Sequence, residues 1–135
     1  MAGYSGTPLV KKIGIKPADK VLFLGAPKGF AKEIGRLPNG VRLQNGASKD
    51  LNVALFFTDK RAALEKELPK LKQRIAQNGM IWIAWPKKAS KVPTDLTEDV
   101  IRDTALALGL VDVKVCAVNE VWSGLKLVIP LKNRK

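Results

Sequence analysis

Apolar positions in this chain fall into two patterns. Residues 20–25 (KVLFLG), 51–58 (LNVALFFT) and 80–85 (MIWIAW) are short runs that are apolar on successive positions. Such a run has two apolar faces and must be covered on both, as strands of a parallel sheet are. Between them the apolar residues change to helical spacing. In residues 59–77, Leu64, Leu68, Leu71 and Ile75 share one face, with Asp59 placed to cap the start and Asn78-Gly79 to end it. Pro69 falls inside this pattern and predicts a kink or break, because proline in a helix interior costs about 3 kcal/mol. Residues 96–108 predict a second helix with Leu96, Val100, Ile101, Ala105 and Leu108 inward and Gly109 at its end. Residues 111–118 and 125–131 alternate as strands and are joined by a short polar link, which predicts a hairpin.

The remaining elements are shorter. Thr7 and Pro8 predict the start of a small helix that packs through Leu9, Val10 and Ile13 and stops at Gly14. Residues 29–37 suit another short helix. Pro38-Asn39-Gly40 then turns the chain into a short strand over 41–44. Strands alternating with helices imply a single α/β domain over residues 1–135. It is read as a three-layer sandwich with a mostly parallel sheet and a C-terminal antiparallel hairpin. Residues 1–19 form an N-terminal arm and residues 132–135 a basic tail. The element order resembles a shortened methyltransferase-type Rossmann fold, and that resemblance implies a sheet order of strands 2-1-3-4-6-5.

Composition narrows the chemistry. The 135 residues contain no histidine and one cysteine, Cys116. Histidine-based triads, histidine zinc sites and an intramolecular disulfide are therefore excluded. Cys116 lies in an alternating apolar run and reads as a small buried hydrophobe. The chain has 24 basic and 12 acidic residues, a formal charge of +12, which favours anionic partners. The lysines are dispersed, except at Lys11-Lys12, Lys87-Lys88 and the tail. Aromatic residues make up 6%, too few for an evident base-stacking platform. No apolar run approaches the roughly 20 residues that span a bilayer, and the expected location is the cytoplasm.

The candidate site follows from the fold. Ligands of open parallel sheets sit beyond the carboxyl ends of the strands. Gly25, Pro27, Lys28, Thr58, Asp59, Trp85 and Lys87 belong there, with the two lysines placed to hold an anion. A methyl-donor site resembling those of methyltransferases would need an acid before the glycine turn and a second acid after strand 2. This chain has Leu24-Gly25-Ala26-Pro27-Lys28-Gly29 and Gln44-Asn45-Gly46 at those places. Pro27 also removes a backbone donor. No cofactor is therefore called for. Asp95-Leu96-Thr97-Glu98 reads as a capping box in which Asp95 accepts from the Glu98 amide, which outweighs an acid/base pair. Tyr4, Ser5 and Thr7 form a hydroxyl-rich lead-in with no base to activate Ser5. Trp122 is expected to pack on the sheet.

Four separated blocks carry a further resemblance. They are GYSGTPL, LGAP followed by GF, WPKK with PTDLTED, and KVCAV with WSGL. In this order they resemble a family of small bacterial proteins of unknown function. The resemblance implies a bacterial cytoplasmic protein and supplies no reaction. The combined reading is a non-catalytic binding or regulatory module with a basic cleft for an anionic small molecule or acidic partner. A methyltransferase-like enzyme with an unorthodox site and a nucleic-acid-binding protein are the alternatives.

Overall fold

A computed structural model describes residues 8–45 and 48–135. Six strands form one sheet: β1 (Lys20–Leu24), β2 (Arg42–Leu43), β3 (Leu51–Phe57), β4 (Ile75–Pro86), β5 (Val111–Ala117) and β6 (Trp122–Val128). Their order is β2-β1-β3-β4-β6-β5. The first four are mutually parallel, and β6 runs antiparallel between β4 and β5. The expected strand order is therefore the observed one.

Strand alternation divides the core in two. Leu22, Ala54, Phe56, Ile81, Ile83, Leu125 and Leu127 point to one face. There they meet Leu64, Leu68 and Leu71 of α3 (Arg61–Arg74), and Ile101 and Ala105 of α4 (Glu98–Ala107). Val21, Val53, Leu55, Phe57, Trp82 and Ala84 point to the other face. They meet Ile13 of α1 (Leu9–Ile13), and Phe30 and Ile34 of α2 (Phe30–Ile34). Each fully buried side chain of this size contributes about 1.5–3 kcal/mol, which is why the doubly apolar runs become central strands. On the second face the Trp82 indole N–H donates to the Ile13 carbonyl at 2.9 Å and ties α1 to the sheet. Trp122 packs edge-on against Phe57, as expected of a residue on the sheet, with ring centroids 5.3 Å apart.

Three expectations are corrected. Helix α3 continues through Pro69 instead of breaking. Proline at 69 removes one amide bond to the carbonyl of Glu65, and the exposed position of Glu65 leaves that carbonyl open to water. The helix also ends earlier than expected. Ile75 pairs with Leu51 as the first residue of β4, so its apolar side chain enters the core from a strand. Asp59 does not cap α3; the residue before the helix is Lys60, which makes no side-chain cap bond. At the N-terminus α1 follows Pro8 directly, and the Thr7 cap and the Tyr4-Ser5-Thr7 group lie outside the described residues.

Candidate functional site

The carboxyl ends of β1, β3 and β4 lie side by side. Leu24 pairs with Phe56, and Phe57 pairs with Ala84. The Thr58 amide extends this contact by donating to the Ala84 carbonyl at 3.0 Å. Gly25, next along β1, has φ +69°, and a β-carbon there would sit 2.7 Å from the Phe57 carbonyl oxygen. The glycine thus answers to the protein's own backbone. Thr58 is buried, and its hydroxyl accepts from the Lys60 amide at 3.2 Å, closing the turn into α3. Its side chain is committed to that turn.

A cleft of about 590 Å³ opens above β4. Trp85, Pro86 and Leu96 line it together with Val92 and Pro93, and Trp85 and Leu96 are buried. Lys87, Lys88 and Lys91 also line it; Thr94, Thr97 and Glu98 complete the wall. A single 3₁₀ turn over Lys88–Ser90 gathers the lysines. The Ser90 hydroxyl donates to the Lys87 carbonyl at 2.7 Å and accepts from the Val92 amide at 3.3 Å. Lys91 closes the turn with φ +60°. None of the three ammonium groups has an ion-pair partner among the described residues. A second cleft of about 350 Å³, lined by Asp59, Lys60, Ala62 and Asp95, shares Pro93 and Thr94 with the first.

The structure therefore brings Trp85 and Lys87 into one cleft and sets Asp59 in the adjoining one. Gly25, Pro27 and Lys28 line neither. Sequence reasoning passed over Lys91 and Thr94 as cleft residues. The signal for Lys91 was present, as the third lysine within five residues after Trp85-Pro86.

The capping box is corrected here. The residue that caps α4 is Thr97, whose hydroxyl accepts from the Val100 amide at 3.2 Å. The Asp95 carboxylate accepts instead from the Arg61 amide at 2.7 Å, the first residue of α3. Thr94 reinforces this bond by donating to the Asp59 carbonyl at 2.6 Å. Glu98 also turns away from the expected partner and pairs with Arg102. Arg102 further binds Asp99 at 2.8 Å and Asp112 at 3.0 Å, joining α4 to β5. Cys116 is half-buried, and burial pushes its thiol pKa up, so it is held as the neutral thiol.

A family model described as protein of unknown function (DUF3052) matches residues 42–131. The chain belongs to this family. Among curated proteins none matches. Solved structures match throughout the fold. A SAM-dependent methyltransferase from Aquifex aeolicus is 15% identical with TM-score 0.64, over 90% of this chain and 88% of its own. A chain of the complex between the Haloferax volcanii Trm112 methyltransferase activator and the putative methyltransferase is 10% identical with TM-score 0.63, over 90% and 87%. Aeropyrum pernix fibrillarin, in complex with natively bound S-adenosyl-L-methionine, is 12% identical with TM-score 0.61, over 93% and 70%. These likenesses establish a methyltransferase-type Rossmann fold for this member of the family, and at such identity they establish the fold alone.

The residues present do not fit the methyl donor that this fold implies. Backbone from β3 fills the space beside Gly25, and Pro27 offers no amide. Strand β2 is followed by Gln44-Asn45, which supplies no carboxylate for a ribose. No helix among the described residues is long and apolar enough to cross a membrane.

Proposed function

We propose that this protein is a non-catalytic binding or regulatory module of methyltransferase-type fold, whose basic cleft above β4 accepts an anionic small molecule or an acidic partner. One observation carries the reading: Lys87, Lys88 and Lys91 stand without ion-pair partners, among the described residues, in a cleft also lined by the buried Trp85 and Leu96. Like charges that line one cleft repel one another, and a bound anion relieves that repulsion. The poor fit to a methyl donor supports a role without methyl transfer. The spread of basic residues argues against a nucleic-acid surface. Lys72 and Lys135 line a cavity with Gln77 near the start of β4, at the opposite end of the sheet from Lys87.

Amide NMR titration with small carboxylates and phosphates tests the reading. Shifts should concentrate in residues 85–98, weaken with salt and be lost in Lys87→Ala. The control Lys135→Ala should retain them. Shifts confined to the Lys72–Lys135 cavity, or indifferent to Lys87, would overturn it. Micromolar affinity for S-adenosylmethionine would restore the enzyme reading.

A further inference from the structure

Resting on the cleft reading above, we infer that the ligand class is a phosphate monoester carried on an apolar body. The lining carries two kinds of residue, one for each part. Trp85, Pro86 and Leu96 are buried apolar residues of the lining, and Val92 and Pro93 are exposed apolar ones. Its volume of about 590 Å³ lies in the range that small-molecule sites occupy, roughly 300–1,000 Å³. The cationic residues of the lining are lysines alone. Lysine is a compact point charge that binds phosphate without the planar fork by which arginine grips carboxylate and phosphate alike, so the charge to be matched is what selects the ligand. Three such charges exceed what one carboxylate can neutralise. A phosphate monoester carries about −1.5 to −2 near pH 7 and offers three acceptor oxygens.

The rest of the wall agrees with an orientation. Lys87 and Lys91 flank the turn and Lys88 begins it, so the phosphate is assigned to this turn. Glu98 borders the same cleft, but its carboxylate is engaged by Arg102 and is partly neutralised. The Thr94 hydroxyl is spent on the Asp59 carbonyl, so that stretch of wall presents carbon to a ligand. Lys91 holds a left-handed conformation that lysine adopts at a cost, and this conformation closes the turn that bears the cluster.

Calorimetry with four probes tests the proposal: inorganic phosphate, phenyl phosphate, benzoate and a short phosphotyrosine peptide. Phenyl phosphate should bind about tenfold or more tightly than either inorganic phosphate or benzoate. Lys87→Ala and Lys91→Gly should each weaken it about tenfold, the loss of one charge-assisted bond. Glycine accepts the φ of residue 91, so the second variant keeps the turn while removing the charge. A peptide that binds as tightly as phenyl phosphate assigns the ester to a protein, and a weaker peptide assigns it to a free metabolite. Benzoate equal to phenyl phosphate would overturn the phosphate assignment and leave the anion cleft standing. Inorganic phosphate equal to phenyl phosphate would overturn the apolar half. If none of the four binds, the cleft reading fails along with it.

Discussion

The carboxylate of Asp95 accepts a hydrogen bond from the backbone amide of Arg61 at 2.7 Å, so a residue just before α4 caps the start of α3. Losing an N-cap carboxylate costs about 1 kcal/mol. Asp95→Ala should therefore lower the unfolding free energy by that amount, read from the shift of the urea midpoint. Hydrogen exchange should accelerate at residues 61–64 and stay unchanged at residues 98–101. The opposite pattern should follow Thr97→Ala, since the Thr97 hydroxyl caps α4.

Gly25 and Gly29 both have positive φ but differ in their surroundings. A β-carbon at Gly25 meets the Phe57 carbonyl at 2.7 Å, while at Gly29 nothing lies within 4 Å. Gly29→Ala should cost only the left-handed penalty, about 1–2 kcal/mol. Gly25→Ala adds a backbone collision and should cost clearly more, with β1 and β3 forced apart. Thermal melts of the two variants side by side read the difference.

Trp82 and Ile13 form a buried polar contact across the sheet and α1. Trp82→Phe removes the only donor the side chain has and deprives the Ile13 carbonyl of that bond. An unsatisfied buried acceptor costs about 1–3 kcal/mol, to which lost packing adds. The urea midpoint should fall accordingly, and exchange at residues 9–13 should rise first as α1 loosens.

Asp112 titrates below its ordinary value, chiefly because the Arg102 side chain donates a hydrogen bond to its carboxylate. A lowered folded-state pKa stabilises the fold above the unfolded value, and that stabilisation is lost as pH falls through the folded value. The stability difference between wild type and Asp112→Asn should thus be level near neutrality and vanish in strong acid. Urea midpoints across pH measure it. A difference that grew in acid would contradict the pairing.

Cys116 should react slowly with thiol reagents at neutral pH. Burial is the largest influence and raises its pKa, outweighing Lys12 and Lys114, which lower it. Urea should release ordinary thiol reactivity, read by a chromogenic disulfide.

The sheet was legible because its strands are the doubly apolar runs, and burial of that kind overrides weaker local signals. Residues 51–58 and 80–85 declared themselves central because successive positions, such as Ala54 and Leu55 or Ile81 and Trp82, are apolar and face opposite sides. Helix ends were harder. Asp95 stands three residues before Glu98 in a pattern that local chemistry assigns to α4, yet the β3–α3 turn lies close in space and takes the carboxylate. No spacing rule carries that information, since the partner is an amide 34 residues away. Ile75 misled for a related reason. Its spacing from Leu71 suits a helix face equally well, and only pairing with Leu51 settles it as strand. Of the candidate site, Trp85 and Lys87 were readable from their place at a strand end. Lys91 showed in the sequence only as a third nearby lysine, and its place in the cleft depends on a left-handed turn.

The grip of Asp95 on a main-chain atom bears on how the family can diverge. Every residue but proline carries the amide, so Arg61 is free to drift to any other residue while position 95 is held to Asp, Asn, Ser or Thr. Arg102 and Asp112 meet side chain to side chain, so a change at either should be answered at the other. Aligned relatives ought to show a short oxygen-bearing side chain at 95 with no correlated partner, and a correlated pair at 102 and 112.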